Sequence, residues 1–341
     1  MKVVITGGSS FVAGHLIREL HEAAADVVSE IHTIDRKAAP SNLFEFRPGS
    51  IPVTHHSFDL NDEEANRRDD PRELRSPVKS DHERYTRDNL NAVECLIEAM
   101  FNANVQNLVF LSDAYANVPS WDNFGNSEEI HDKIPSSCML GHYGHTRAEG
   151  ELFARQKPFQ ATFLRSTVLY GEGETKLPAV LKTVAEANGG RLPTVRGPSN
   201  GLLQCTWAVW PPWENMRLLL TAPDRCTGEF LYCMDRTDSR PPSSRLSGLE
   251  LAPGSSLAVQ YGRTLWNEWV RGGSSSQFSL SALRLLFIYA IGFTNRKQQL
   301  IFKFRSPITQ EDAFKRTLQW ISANLVDGKP ARPVPELRRA G

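Results

Sequence analysis

Short apolar or β-branched runs alternate with stretches of helical spacing about every 25–30 residues, and nothing else in the chain constrains its fold so tightly. Lys2–Thr6 is a β-branched run stopped by Gly7-Gly8, and Phe11–Leu20 then shows helical spacing. Ile31–Ile34 is a second apolar run closed by Asp35, and Val53–Phe58, ending at Asp59-Leu60, reads as a third strand. Asn89–Met100 predicts a helix, Asn107–Leu111 a buried strand, Tyr143–Gln156 a helix and Ala161–Val168 a strand. Such alternation predicts a parallel sheet covered by helices on both faces.

One piece of that pattern is missing. Asn61–Arg87 is crowded with Asp, Glu, Arg and Pro and holds no apolar run fit for a buried parallel strand. In a doubly wound sheet the fourth strand lies beside the first, so this stretch is expected to be loop or irregular helix. Further on, Gly197–Pro223 carries Trp207, Trp210 and Trp213 without a clear period, and Asp235–Ser276 reads as linker. Phe278–Phe293 is apolar but short of the roughly 20 residues of a membrane span, leaving a core helix or an interfacial anchor. Thr309–Leu325 is patterned as an amphipathic helix.

Lys+Arg and Asp+Glu balance at 39 each, so the chain lacks the basic signature of a nucleic-acid binder. Its five cysteines are scattered, with no metal-spaced pair, and no signal peptide precedes the first strand. A reducing, intracellular setting with cysteines as buried apolar residues follows. Oligomeric state is not legible.

Two constellations carry chemistry. The first is Thr6-Gly7-Gly8-Ser9-Ser10-Phe11-Val12-Ala13 between strand and helix, the geometry that aims a helix N-terminus at a pyrophosphate. Of the three glycines in GxxGxxG only Gly7 is intact. Ser10 and Ala13 fill the other places, and Ser10 is expected to crowd the phosphate. Asp35, ending the second strand, can accept both ribose hydroxyls of adenosine and would repel a 2′-phosphate, which favours NAD; Arg36 keeps NADP as the less favoured alternative. The second is Tyr143-Gly144-His145-Thr146-Arg147. A phenol with a pKa of about 10 needs a fixed positive charge beside it to ionise near neutrality, and helical spacing i to i+4 places Arg147 on the face of Tyr143.

With these residues placed, the chain resembles the extended short-chain dehydrogenase/reductases, and among them the 3β-hydroxysteroid dehydrogenase/isomerase family. Thr6–Leu16 is similar to that family's TGGxGFxGxxL, and Asp59-Leu60 to its adenine-side pair. Asn89–Val93 resembles the NVxGT helix start, and Leu164-Arg165-Ser166 with Leu169–Gly173 the LRP…IYGxG strand and turn. Gly228–Asp235 and Phe304–Trp320 resemble the closing strand and helix. The resemblance implies an α/β, Rossmann-like doubly wound sheet at 1–195, with its fourth strand missing or degenerate. It implies a smaller C-terminal substrate lobe at 196–330, whose strand near 228–235 returns to the core; 331–341 is read as a disordered tail.

It also implies NAD-dependent oxidation of a secondary alcohol on a small apolar substrate such as a steroid. Tyr143 would be the acid/base, Arg147 would stand in the lysine position, and Asn89 would anchor that cation through a water. Gly7, Gly8, Ser10, Phe11, Val12, Asp35, Arg36, Asp59, Leu60 and Ser166 would line the cofactor, with Ser166 in a proline's place. The family's substrate-orienting serine aligns with Ala114, which has no hydroxyl. A dinucleotide-binding protein with little or no catalysis is therefore the alternative. Membrane-surface contact through Phe278–Phe293 would add an endoplasmic-reticulum location to a cytoplasmic one.

Overall fold

The computed structural model describes residues 1–37, 51–61, 81–119, 123–126, 133–186, 189–192, 204–208, 221–235, 250, 291–302, 309–326 and 329–330. β1 (Lys2–Thr6), β2 (Glu30–Asp35) and β3 (Val53–Ser57) form one parallel sheet in the order β1-β2-β3. Alternation decides which side of β1 is covered. Val3 and Ile5 turn inward, and Ala13, Ile17 and Leu20 of helix α1 (Phe11–Ala23) join them and Ile31 in one core. Val4, on the other side of the strand, is 56% exposed.

A second parallel sheet has the order β4-β6-β9, from β4 (Asn107–Asp113), β6 (Gln160–Ser166) and β9 (Phe230–Cys233). Both its faces are packed. Leu108, Phe110 and Phe163 meet Ile97 and Met100 of α3 (Ala92–Asn102) and Ala154 of α4 (Gly141–Arg155), while Val109 and Leu111 pack with Leu164, Leu231 and Cys233. Shorter strands between β4 and β9 in the chain include β5 (Asn123–Asn126) and β7 (Val168–Tyr170). β7 pairs with β8 (Cys205–Trp207), and β5 with β10 (Ile291–Phe293). Helices α5 (Lys176–Glu186), α6 (Arg296–Phe302) and α7 (Gln310–Asn324) complete the larger elements.

The strand expected near 228–235 is β9, added to the sheet edge at β6. Among the described residues no strand joins β1 to β4. The polar stretch Asn61–Arg87 is described only at Asn61 and from Asp81, where α2 (Asp81–Tyr85) leads into a π-helical turn, Thr86–Asn91, and on into α3. Residues 62–80 lie outside the described residues, as do Trp210, Trp213, Phe304, nearly all of Asp235–Ser276 and the tail 331–341. Of Phe278–Phe293 only the last three residues are described, and they are a buried strand, not a helix. Among the described residues no helix is long and apolar enough to cross a membrane.

A buried ion pair locks α4 to the second sheet. Arg165 of β6 and Glu151 of α4 are each 1% exposed, with Nη2–Oε1 at 2.6 Å and Nε at 3.0 and 3.1 Å from the two carboxylate oxygens. The Phe230 ring lies 4.5 Å from the same guanidinium and 4.0 Å from that of Arg155. A cation against an aromatic face gains electrostatic attraction where water is excluded.

Candidate active site

The Gly7–Ser10 turn, Asp35, Asp113 and Ser166 lie at or just beyond the carboxyl ends of parallel strands, the end at which open α/β sheets bind ligands. After β1 the chain turns through Gly7 at φ +71°, a left-handed conformation that L side chains resist. Gly8 is tighter still, because a Cβ there would stand 2.4 Å from the Thr33 Cβ on β2. The turn therefore lies directly on the neighbouring strand. Gly8→Ala is expected to cost about 1–3 kcal/mol by overpacking and to loosen the loop; a thermal melt equal to that of the native chain would contradict this.

Ser10 does not simply crowd the loop. Its hydroxyl turns back onto the helix and accepts from the Ala13 N–H at 3.2 Å, capping α1. Ser9 donates from its N–H (3.1 Å) and hydroxyl (2.5 Å) to Asp35 Oδ2, and the Lys37 N–H donates to Oδ1 at 3.0 Å. Burial works against the charge of Asp35, but these donors outweigh it and hold the carboxyl below its ordinary range. Arg36 forms a two-pronged pair with Asp88 at 3.0 Å and lies 3.8 Å from Asp59, so its guanidinium is already engaged. Asp59 Oδ1 in turn accepts from the Asn61 backbone and side chain. Phe11 and Val12 open α1, and Leu60 follows Asp59 beyond β3.

The second half of the site sits on α4. Gly150 lets that helix ride against the π-helical turn, since a Cβ there would come 2.5 Å from the Asn89 carbonyl oxygen. Asn89 Nδ2 donates to Thr146 Oγ1 at 3.0 Å, so Asn89 braces α4 beside Arg147 and makes its bond to the neighbouring residue. Arg147 is held by the strand: its Nη2 donates to the Leu111 carbonyl at 2.9 Å, while its buried Nε has no partner. Tyr143, one turn earlier, meets Tyr85 edge-on at 5.4 Å. Burial pushes the Tyr143 phenol above its ordinary value; Arg147 opposes that rise, and Asp113 and Tyr85 add to it. The cation acts in the expected direction, and burial outweighs it.

An acidic side chain whose charge acts on this pair is Asp113, the last residue of β4. Ala114, where the sequence register put the substrate-orienting position, is wholly buried at the start of a 3₁₀ turn, Ala114–Asn117. Asp113 caps that turn, accepting from the Tyr115 N–H at 2.8 Å. Burial raises its carboxyl, against the pull of Arg147 and of the Tyr115 and Ala116 amides.

A sequence profile of the 3-beta hydroxysteroid dehydrogenase/isomerase family matches residues 4–200. The chain belongs to this family. Among solved structures it is similar to a UDP-galactose 4-epimerase (TM-score 0.62, 16% identity, covering 96% of this chain and 100% of that one). It is similar also to DesIV, a dTDP-glucose 4,6-dehydratase from Streptomyces venezuelae solved as a double mutant with NAD bound (0.61, 18%, 95% and 98%). A third is MoeE5 in complex with UDP-glucose and NAD (0.60, 17%, 95% and 99%). These likenesses establish the Rossmann-like α/β architecture. Comparison with curated protein sequences gave no match.

In this family member two separate sets of buried polar contacts, one at Ser166 and one around Glu172 and Asp235, escape a reading of the sequence. Ser166, ending β6, donates its hydroxyl to the Ser112 carbonyl at 3.1 Å, and the Ser112 hydroxyl is itself buried without a partner. His15 of α1 reaches the Glu172 carbonyl at 2.7 Å through Nε2, which must carry the proton because a carbonyl only accepts. Burial, with Arg18 beside it, lowers its pKa to about 3, so the imidazole is neutral. The Glu172 carboxylate accepts from Trp207 Nε1 at 3.3 Å. Asp235 accepts from the Trp207 N–H at 3.2 Å and from the Tyr170 hydroxyl at 2.6 Å; burial nonetheless raises it to about 6. His15–Glu172 ties α1 to the turn after β7, and Arg36–Asp88 ties the end of β2 to the π-helical turn. Only their separation in sequence hid them. Among the described residues no cluster could hold a metal ion.

Proposed function

We propose that this chain is an NAD-dependent oxidoreductase that moves a hydride between the cofactor and the carbinol or carbonyl carbon of a small apolar substrate such as a steroid. Tyr143 is its acid/base. The observation that supports this reading is that Tyr143 and Arg147 lie one helical turn apart on α4, with Arg147 fastened near the carboxyl end of β4, while the Gly7–Ser10 turn and Asp35 stand at the carboxyl ends of β1 and β2. Membership of the family supports the reaction class.

The residues present fit the dinucleotide. Gly7 and Gly8 bring backbone close to a pyrophosphate at the start of α1, and Asp35 is an ionised acceptor for ribose hydroxyls, which would take over the place of the Ser9 hydroxyl. Arg36 is engaged by Asp88 and the Asp35 carboxylate would repel a 2′-phosphate, which supports NAD over NADP. The partnerless Arg147 Nε and Ser112 hydroxyl are donors that a bound polar group would satisfy. Bound NAD supplies the hydride acceptor; Tyr143 exchanges the proton with the substrate oxygen, and Arg147 holds the phenol's charge in check.

A second reading, a dinucleotide-binding protein with little or no catalysis, draws on the raised Tyr143 phenol and the diversion of Arg147 to the Leu111 carbonyl. Calorimetric titration with NAD tests both. Binding is expected, and its absence at millimolar cofactor would end both. Turnover assays then separate them, with a 3β-hydroxysteroid in one arm and UDP-glucose, which MoeE5 binds, in the other. Turnover in the first arm alone is the expected result.

A further inference from the structure

We propose that Thr146 is a positioning residue for Tyr143: its buried hydroxyl links the Asn89 side chain on the π-helical turn to the backbone carbonyls of His142 and Tyr143, and so fixes the turn of α4 that carries the phenol. The inference rests on the acid/base reading of Tyr143. That turn has little to hold it by itself. Tyr143 is the third residue of α4, and the residue before the helix, Leu140, offers no side-chain cap to the open N–H groups. Two of the first four residues, Gly141 and Gly144, are glycines, the poorest helix formers after proline. A helix start of this kind frays, and a fraying turn does not hold a phenol oxygen to the fraction of an ångström that catalysis needs.

The hydrogen bonds of Thr146 supply what the turn lacks. The residue is 1% exposed, and its Oγ1 lies 3.1 Å from the Tyr143 carbonyl and 3.2 Å from the His142 carbonyl. Carbonyls only accept, so the single hydroxyl proton goes to them and the oxygen is left to accept from Asn89 Nδ2, at 3.0 Å. A threonine bonded back to carbonyls three and four positions earlier bends its turn of helix, and here the amide behind it sets where that turn stands. Asn89 is itself held close to α4. Gly150, one turn after Thr146, has no Cβ, and one there would stand 2.5 Å from the Asn89 carbonyl oxygen. Two further contacts near the phenol grip rings: His142 stacks on His82 at 4.1 Å, and Tyr143 meets Tyr85 edge-on at 5.4 Å, with His82 and Tyr85 both on α2. Thr146 grips the backbone from which both rings hang.

Thr146→Val keeps the shape of the side chain and removes the hydroxyl, so the link breaks at its middle and the Asn89 amide loses its acceptor. Turnover is expected to fall roughly 10–100-fold, the range set by misplacing a reacting group by about 1 Å. KM and NAD affinity should stay close to native, since the Gly7–Ser10 turn and Asp35 stand on other elements. Thr146→Ser, which restores the hydroxyl, should recover most of the lost kcat. A hydroxyl that served stability alone would lower the melting temperature in the valine variant and leave kcat per folded molecule unchanged.

The test measures kcat and KM for the native protein and both variants, together with amide hydrogen exchange across residues 141–147 in the cofactor-free proteins. Exchange in that segment should be faster in Thr146→Val and native-like in Thr146→Ser. Native kcat in the valine variant, or a serine variant that fails to recover it, overturns the proposal. Should Thr146→Val lose native circular dichroism, Thr146→Ala is read by the same criteria. If the native protein turns over no substrate, the acid/base reading fails by itself, and hydrogen exchange then decides the link: unchanged exchange in the valine variant overturns it.

Discussion

Tyr143→Phe is expected to lower turnover about 10²–10⁴-fold, the usual contribution of a positioned proton donor or acceptor, while leaving NAD affinity and stability close to native. The change removes one oxygen. The ring keeps its edge-on contact with Tyr85 at 5.4 Å, and among the described residues no hydrogen bond depends on the hydroxyl. The loop and acidic groups that would hold the dinucleotide stand on α1 and β2, away from this substitution. Steady-state assays in both reaction directions, with calorimetry for NAD, check it. Equal turnover in native and variant proteins would remove Tyr143 from the chemistry. A loss of NAD binding would mean instead that the phenol belongs to the cofactor site.

Glu151→Ala should strike the fold and leave no competent site to assay. It strips the anion from Arg165, whose guanidinium is held at 2.6–3.1 Å by both carboxylate oxygens with each residue 1% exposed. Burial disfavours that guanidinium's charge, and Glu151 outweighs the penalty. Removing one partner of such a pair costs about 3–5 kcal/mol, because the other charge stays buried and uncompensated. Much of that is the stability of a typical domain. Urea denaturation at unchanged m-value should show the midpoint fall. Replacing both members, Glu151→Leu with Arg165→Met, should recover most of the loss, since apolar side chains of similar volume carry no desolvation penalty. A double variant as unstable as the single one would show that the pair is needed for geometry and not only for charge balance. Since α4 carries both Glu151 and Tyr143, this pair also helps hold the helix that bears the phenol.

Most of the repeating architecture could be read from the chain. Strands near Lys2, Ile31, Val53, Asn107 and Ala161, and helices near Phe11, Asn89 and Tyr143, appear within a few residues of their expected places. Periodicity is a local property, and a strand packed on both faces or an amphipathic helix writes it directly into neighbouring residues. Asn89 is the instructive exception: read as the start of an α-helix, it lies in a π-helical turn, against which Gly150 of α4 packs closely at the Asn89 carbonyl. Phe278–Phe293, read as one helix or anchor, ends as a strand because Ile291–Phe293 finds β5 as a partner. A short apolar run does not distinguish these outcomes by itself.

By itself, then, the sequence determined the parallel α/β plan, the glycine turn with Asp35, and the Tyr143–Arg147 spacing, all set by contacts within a turn or a strand. Only the tertiary structure decided what surrounds that pair. It turned Ser10 into a helix cap, engaged Arg36 with Asp88 52 positions away, bound Arg147 to a carbonyl 36 positions away, and raised the Tyr143 phenol by burial. Those are electrostatic and steric matters of distance in space, and a charge's effect on a neighbouring pKa falls with that distance whatever the separation along the chain.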